Sequence, residues 1–159
     1  MEYQSLFLVR MATYADIPDI MQITREAFLK YSELSGVDSL AALEETYEDV
    51  KRDIDTKVVL IAFSDGAPVG SVRVQVFDDG TAYLSRFGVK VTSQNNGIGK
   101  SIMNLVDRIM MKKGVTRISL HTGAKITSLI RFYYGRGFYI DSTDKSRGYI
   151  RALLVKDYQ

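Results

Sequence analysis

Val89-Lys90-Val91-Thr92-Ser93-Gln94-Asn95-Asn96-Gly97-Ile98-Gly99-Lys100 is the stretch on which the fold turns. An apolar strand pattern ends, a loop with two glycines follows, and a helical pattern begins. The first N–H groups of a helix have no internal acceptor and lie at the positive end of its dipole. Glycines there let an anion approach those N–H groups, which makes the loop a candidate phosphate cradle. Asn95 and Asn96 tolerate unusual backbone angles, and Lys100 adds a positive charge. Three uses of such a loop compete. Gly99-Lys100-Ser101 matches the end of a nucleotide P-loop, but Gln94 occupies the position of that motif's first glycine. A dinucleotide site needs a third glycine where Ile102 stands. The third use is a structural loop with no ligand.

Outward from the loop, the periodicity alternates between helix and strand. After it, Ile98, Ile102, Leu105, Val106, Ile109 and Met110 form one apolar face of a long helix that ends at Gly114. Arg117 to His121 reads as a strand, and Ile126 to Tyr134 as a helix closed by Gly135 and Gly137. Phe138–Asp141 and Tyr149–Val155 read as a last pair of strands. Before the loop, Val58–Phe63, Val69–Phe77 and Tyr83–Val91 form an antiparallel meander turned at Asp65-Gly66 and Asp78-Asp79-Gly80. Further upstream, Leu6–Met11 is a short strand. Thr13 caps a helix with Pro18 in its first turn, and Ser39 caps a second helix carrying Leu40, Leu43, Tyr47, Val50 and Ile54. The order β-α-α-β-β-β-α-β-α-β-β, with no repeat or linker, predicts one α/β (α+β) domain over residues 1–159.

Composition narrows the chemistry. The 159 residues are 46% hydrophobic and 25% charged, as in an ordinary globular domain. The absence of cysteine excludes disulfides, thiolate nucleophiles and cysteine-bound zinc, and no metal site is expected. Met1-Glu2-Tyr3-Gln4 does not open a signal peptide, and no apolar run has the ~20 residues of a membrane helix. A cytoplasmic location is therefore expected, with no membrane partner. The net charge of +2 is uneven. Between Glu33 and Asp55 the acids face only Lys51 and Arg52. Between Lys100 and Arg151 the bases face only Asp107, Asp141 and Asp144. The bases are spread over several elements rather than gathered on one recognition helix, so no nucleic-acid role is expected.

Gln94, Gly97 and Gly99 at the start of a helix, followed at the right separation by Phe132-Tyr133 and Gly137-Phe138, resemble the GNAT superfamily of N-acetyltransferases. The resemblance runs from about Leu6 to Tyr158. It implies a mixed, mostly antiparallel central sheet flanked by helices, with two central strands splayed apart. Acetyl-CoA would be the cosubstrate, its pyrophosphate held by Gln94, Asn95, Asn96, Gly97, Ile98, Gly99 and Lys100. The pantetheine arm would lie in the splay along Phe87, Gly88 and Val89. Gly88 agrees independently, since a glycine inside a strand often marks a bulge or a close backbone approach.

The implied reaction is direct attack of a primary amine on the thioester. A lysine-type amine has a pKa near ~10.4 and must lose a proton first. By resemblance Tyr133 gives the leaving thiolate its proton, although it also shares an apolar stripe with Ile126, Leu129 and Ile130. Many relatives carry a glutamate as base on the strand before the loop, and this strand has none. His121, Glu33 or a water chain are the candidates left. Relatives often have asparagine where Ile126 stands and proline where Val91 stands; Thr127 or Ser128 could replace the lost contact. The acceptor side of the family's cleft lies against the acidic N-terminal helices. That predicts a cationic small-molecule or peptide amine, with Glu44, Glu45 and Glu48 contributing. A non-catalytic acyl-CoA-binding regulatory module is the alternative. The oligomeric state is not legible, and dimers among relatives keep a homodimer open.

Overall fold

A computed structural model describes residues 6–37, 41–94 and 96–158. The strands are β1 (Phe7–Met11), β2 (Val58–Ser64), β3 (Ala67–Val76), β4 (Thr81–Val89), β5 (Arg117–Gly123), β6 (Tyr139–Asp144) and β7 (Arg151–Asp157). The helices are α1 (Ile17–Ser35), α2 (Tyr47–Thr56), α3 (Ile98–Lys112) and α4 (Thr127–Gly135). Their order is the expected one. The strands form one sheet in the order β1-β2-β3-β4-β5-β7-β6. Every pairing is antiparallel except β4 with β5.

β2 shows how a short apolar run becomes a central strand. Its side chains alternate between two cores, as the period of two requires. Val59 and Ile61 pack with Ile17, Ile20, Ile23 and Val50 under α1 and α2. Val58, Leu60 and Ala62 join Ile98, Ile102, Met103 and Val106 of α3 on the other face. Helices therefore cover both faces.

β3 alternates as well, but two of the residues on its polar side, Ser71 and Arg73, do not meet water. Ser71 and Arg73 point under α1 and α2, and Arg73 is fully buried. Its guanidinium holds both carboxylate oxygens of Glu45, with Nη2 2.8 Å from Oε1, and lies 2.9 Å from Asp53. A buried guanidinium needs such partners, because desolvation otherwise outweighs its charge interactions. Desolvation is the largest influence on Arg73, yet Glu45 and Asp53 hold its pKa above the ordinary value. This network pins the segment before α2 onto the sheet.

The second helix differs from expectation. Ser39 and Leu40 lie outside the described residues. Ala41–Glu44 form a short 3-10 turn, and α2 begins later with Thr46 as its cap. Thr46 and Asp49 exchange bonds in a capping box. Thr13 caps a 3-10 turn through Asp16, just before α1. Of the last two strands, β6 runs on to Asp144 beyond the expected Asp141, and β7 is shifted by two residues from Tyr149–Val155 to Arg151–Asp157, with Asp144 and Arg151 paired across the hairpin.

Candidate active site

β4 and β5 pair only at Thr81–Tyr83 with Arg117–Ser119. Beyond Tyr83 they diverge, while on its other edge β5 stays paired with β7 from Arg117 to Gly123. A bulge reinforces the divergence. Ser71 faces Gly88 and Arg73 faces Ser85, so Val72 of β3 is opposed by both Arg86 and Phe87. Arg86 takes the left-handed φ of 53° that such a bulge demands. Gly88 lies next to the bulge rather than in it, and serves close approach: a Cβ there would stand 2.7 Å from the Ala27 Cβ of α1.

The splay opens into a groove of about 750 Å³. Phe87, Gly88 and Val89 form one wall, and Gln94, Gly97, Ile98, Gly99 and Lys100 close its end. Gly97 starts α3 with φ 92°, which a side chain would strain. Asn96 does not line the groove. Its Oδ1 accepts from Ile98 N–H at 3.2 Å, and Ser101 N–H bonds Gly97 O. The amides of Gly99 and Lys100 are left without a protein acceptor among the described residues. Gln94 braces the loop, its Nε2 donating to Val89 O at 3.0 Å. Asn95 lies outside the described residues. Lys30, Arg131 and Arg136 also line the groove, and no acidic side chain among the described residues does. The lining suits a long anion with an apolar tail, since it combines cations and free amides with the apolar Phe28, Leu129 and Phe132. Of the residues considered near the missing asparagine, Ser128 reaches the groove and Ile126 is buried beside Gly123.

A second cavity, of about 200 Å³, adjoins the first across Phe28, Tyr31, Phe87 and Leu129, which line both. Tyr133 and His121 line this smaller space together. Tyr133 is buried among Phe87, Phe132 and Phe138, with ring centroids 5.4–6.2 Å apart. Burial pushes its phenol well above the ordinary range, so it keeps its proton at neutral pH. His121 Nδ1 lies 2.6 Å from Tyr83 Oη. No protein group among the described residues bonds its Nε2. Burial, helped by Arg151, holds the imidazole below its usual pKa, so it is neutral near pH 7 and able to accept a proton.

Three expectations about the acceptor side need correction. Glu33 faces solvent beside Lys30 and lines neither cavity. Glu45 spends its charge on Arg73 and Arg86. Glu44 and Glu48 are exposed and line neither cavity. The acidity of this region serves Arg73 and the helix surfaces. Arg86, Arg147 and Arg151 line the small cavity instead, together with Tyr31, Tyr83 and Tyr149. The signal for two of these arginines was the basic bias of residues 100–151, which does not say which bases converge.

A profile of the acetyltransferase (GNAT) family matches residues 17–138. The chain is 26% identical over 149 residues to the uncharacterized protein YyaT of Bacillus subtilis (strain 168), with 93% of each chain covered. It is 24% identical over 148 residues to a spermidine N(1)-acetyltransferase of Thermoplasma acidophilum, covering 87% of this chain and 91% of that one. Its fold matches the crystal structure of the PaiA N-acetyltransferase of Thermoplasma acidophilum in complex with coenzyme A, with a TM-score of 0.84, 22% identity and coverage of 96% and 99%. On the family match and on a fold of the same shape, this chain belongs to the GNAT family of acetyltransferases.

Proposed function

We propose that the protein transfers an acetyl group from acetyl-CoA to a primary amine. What carries this is the pair of free amides at Gly99 and Lys100, which line the groove between β4 and β5 together with the side chains of Lys100, Arg131 and Arg136. The helix mouth takes the pyrophosphate, and the splay takes the pantetheine arm. The solved neighbour holding coenzyme A supports the same choice of ligand.

The thioester would then meet the small cavity at the wall the two spaces share. His121 takes a proton from the incoming ammonium. The amine nitrogen bonds the acetyl carbon, the carbon–sulfur bond breaks, the thiolate receives a proton from Tyr133, and the second proton shed by the new amide nitrogen restores the Tyr133 phenol. The buried phenol stays protonated at neutral pH, so it has a proton to offer the sulfur as it leaves. A cationic acceptor is supported only by the name of one relative, a spermidine acetyltransferase; the acids that suggested it in the sequence line neither cavity.

The test is a melting curve with acetyl-CoA, followed by release of free coenzyme A across a panel of amines. Acetyl-CoA at ~100 times its Kd should add ~2.7 kcal/mol to stability. Release that depends on an amine separates an enzyme from a non-catalytic acyl-CoA-binding module. Stabilisation by magnesium ATP and not by acetyl-CoA would return the loop to its P-loop reading.

A further inference from the structure

We propose that the acceptor amine carries an oxyanion, a carboxylate or a phosphate, and that Arg147 and Arg151 hold it in the small cavity. This rests on the acetyl-transfer reading of the neighbouring groove. The cavity is lined by Arg86, Arg147 and Arg151 and by no acidic side chain among the described residues. The three guanidiniums are not equivalent. Arg86 is half-neutralised, its Nε 3.3 Å from the Glu45 carboxylate. Arg151 is largely buried, with side-chain exposure of 16%, and its nearest acid oxygen, on Asp144, is 3.7 Å away. That is beyond a hydrogen bond, and Arg151 Nε is buried with no partner. Arg147 is exposed at the hairpin between β6 and β7 and makes no ion pair or hydrogen bond among the described residues.

Arg73 shares the unpartnered Nε but meets two carboxylates through its terminal nitrogens, whereas Arg151 meets none within hydrogen-bond reach, which is natural in a site that awaits an acceptor. The flat fork of arginine matches carboxylate and phosphate oxygens two at a time. The field also reaches His121 and Tyr83: Arg151 and Arg147 bear on both, and Asp144 opposes them at His121 by less than Arg151 exerts. A bound oxyanion would offset that field and make His121 a better base, so an acidic acceptor improves the catalyst it binds to. A polyamine would place a second ammonium in the same field with no acid in the cavity to answer it. The small volume favours a compact amine over a folded protein surface.

The test uses the full chain and matched pairs of amines: β-alanine against β-alaninamide, phosphoethanolamine against ethanolamine, and spermidine as the cation. Coenzyme A release gives kcat/KM, and calorimetry of each amine on the CoA-loaded protein gives binding without turnover. At least one oxyanion amine should exceed its neutral partner by about tenfold or more in kcat/KM. The pair in which the preference is larger tells carboxylate from phosphate. Arg147→Gln lies on an exposed loop and should fold; it should raise KM for that amine about tenfold while the Kd of acetyl-CoA stays unchanged. Arg151→Gln should do the same. Preference for spermidine or for the neutral partners, with both variants behaving as wild type, overturns the inference. If no amine turns over, binding decides: oxyanion amines that bind and lose affinity in Arg147→Gln uphold the inference while acetyl transfer falls. Absence of such binding overturns it.

Discussion

The two cavities that meet at Phe28, Tyr31, Phe87 and Leu129 are built by different means. The large groove is made by backbone: a bulge at Arg86, strands that part after Tyr83, and a helix end whose amides are bare because Gly97 and Gly99 leave room. The small cavity is made by side chains from α1, β4, β5, α4, β7 and the segment before α2, and its charge is set by arginines far apart in sequence. Backbone devices tolerate substitution nearby and are shared across a family. Side-chain devices change one residue at a time, which is how one fold can keep a cofactor and vary its acceptor.

The largest effect should come from the charge network that fixes the small cavity's floor. Arg73→Ala takes the buried cation from Glu45 and Asp53, which keep only Arg86 at 3.3 Å and Lys57 at 3.2 Å, and with the space it leaves should cost about 3 kcal/mol in urea unfolding. Restoring a cation at the site with Arg73→Lys should recover part of that loss. A loss below ~1 kcal/mol would mean that the segment carrying Ala41 and Ala42 is held by packing alone.

The catalytic pair comes next. Tyr133→Phe should lower kcat by about a hundredfold with the Kd of acetyl-CoA nearly unchanged, because the phenol faces the small cavity and not the groove. An equal loss in acetyl-CoA affinity would place Tyr133 on the cofactor side and blur the division. His121→Gln should also slow turnover. Its folded pKa is below the ordinary 6.5, so the neutral, proton-accepting form is complete at pH 7 and is lost only as the pH falls through the lower value. The acid limb of kcat/KM should therefore lie below pH 6.5 and disappear in His121→Gln. A limb above 6.5 would point to another base.

Much of the groove was legible in the sequence, because its parts are local. A strand, a glycine loop and a helix start are neighbours in the chain, and Gln94, Gly97 and Gly99 are found together at the groove's end. Gly88 signalled tight packing for the right reason, although the bulge itself falls on Arg86. The small cavity was not legible. His121 meets Tyr83 only because the parallel register sets Tyr83 beside Ser119, a pairing that no local pattern encodes. Nothing local marks Arg73 as buried: it stands among the polar alternate residues Ser71, Arg73 and Gln75 of β3, yet it is fully covered. Glu45 read as part of an acidic acceptor side, because the sequence does not show that Arg73 and Arg86 take up its charge. Thr46 rather than Ser39 caps α2, because the 3-10 turn at Ala41–Glu44 consumes residues that a helical period had claimed.

Two smaller effects sharpen the contrast. Gly88→Ala brings a methyl to 2.7 Å from Ala27, so α1 must shift from β4, at a cost of about 1–3 kcal/mol in thermal unfolding. Since Gly88 and Ala27 both line the groove, acetyl-CoA affinity should fall with it. Asp16 is a control remote from both cavities. Arg10 and Thr13 hold its carboxyl below the ordinary value of 3.8. Its stabilisation is complete above that value and is lost as pH falls through the lower folded one. Asp16→Asn should cost about 1 kcal/mol at pH 7 and leave kcat untouched. It should also flatten the acid end of the stability profile.

Calorimetry with acetyl-CoA and with dephosphorylated pantetheine, each titrated into the full chain, bears most directly on the helix-mouth site. Saturable heat with acetyl-CoA, and a binding constant weaker by orders of magnitude when the diphosphate is missing, is the predicted result. Equal affinity for the two ligands, or no heat with millimolar acetyl-CoA, would contradict it.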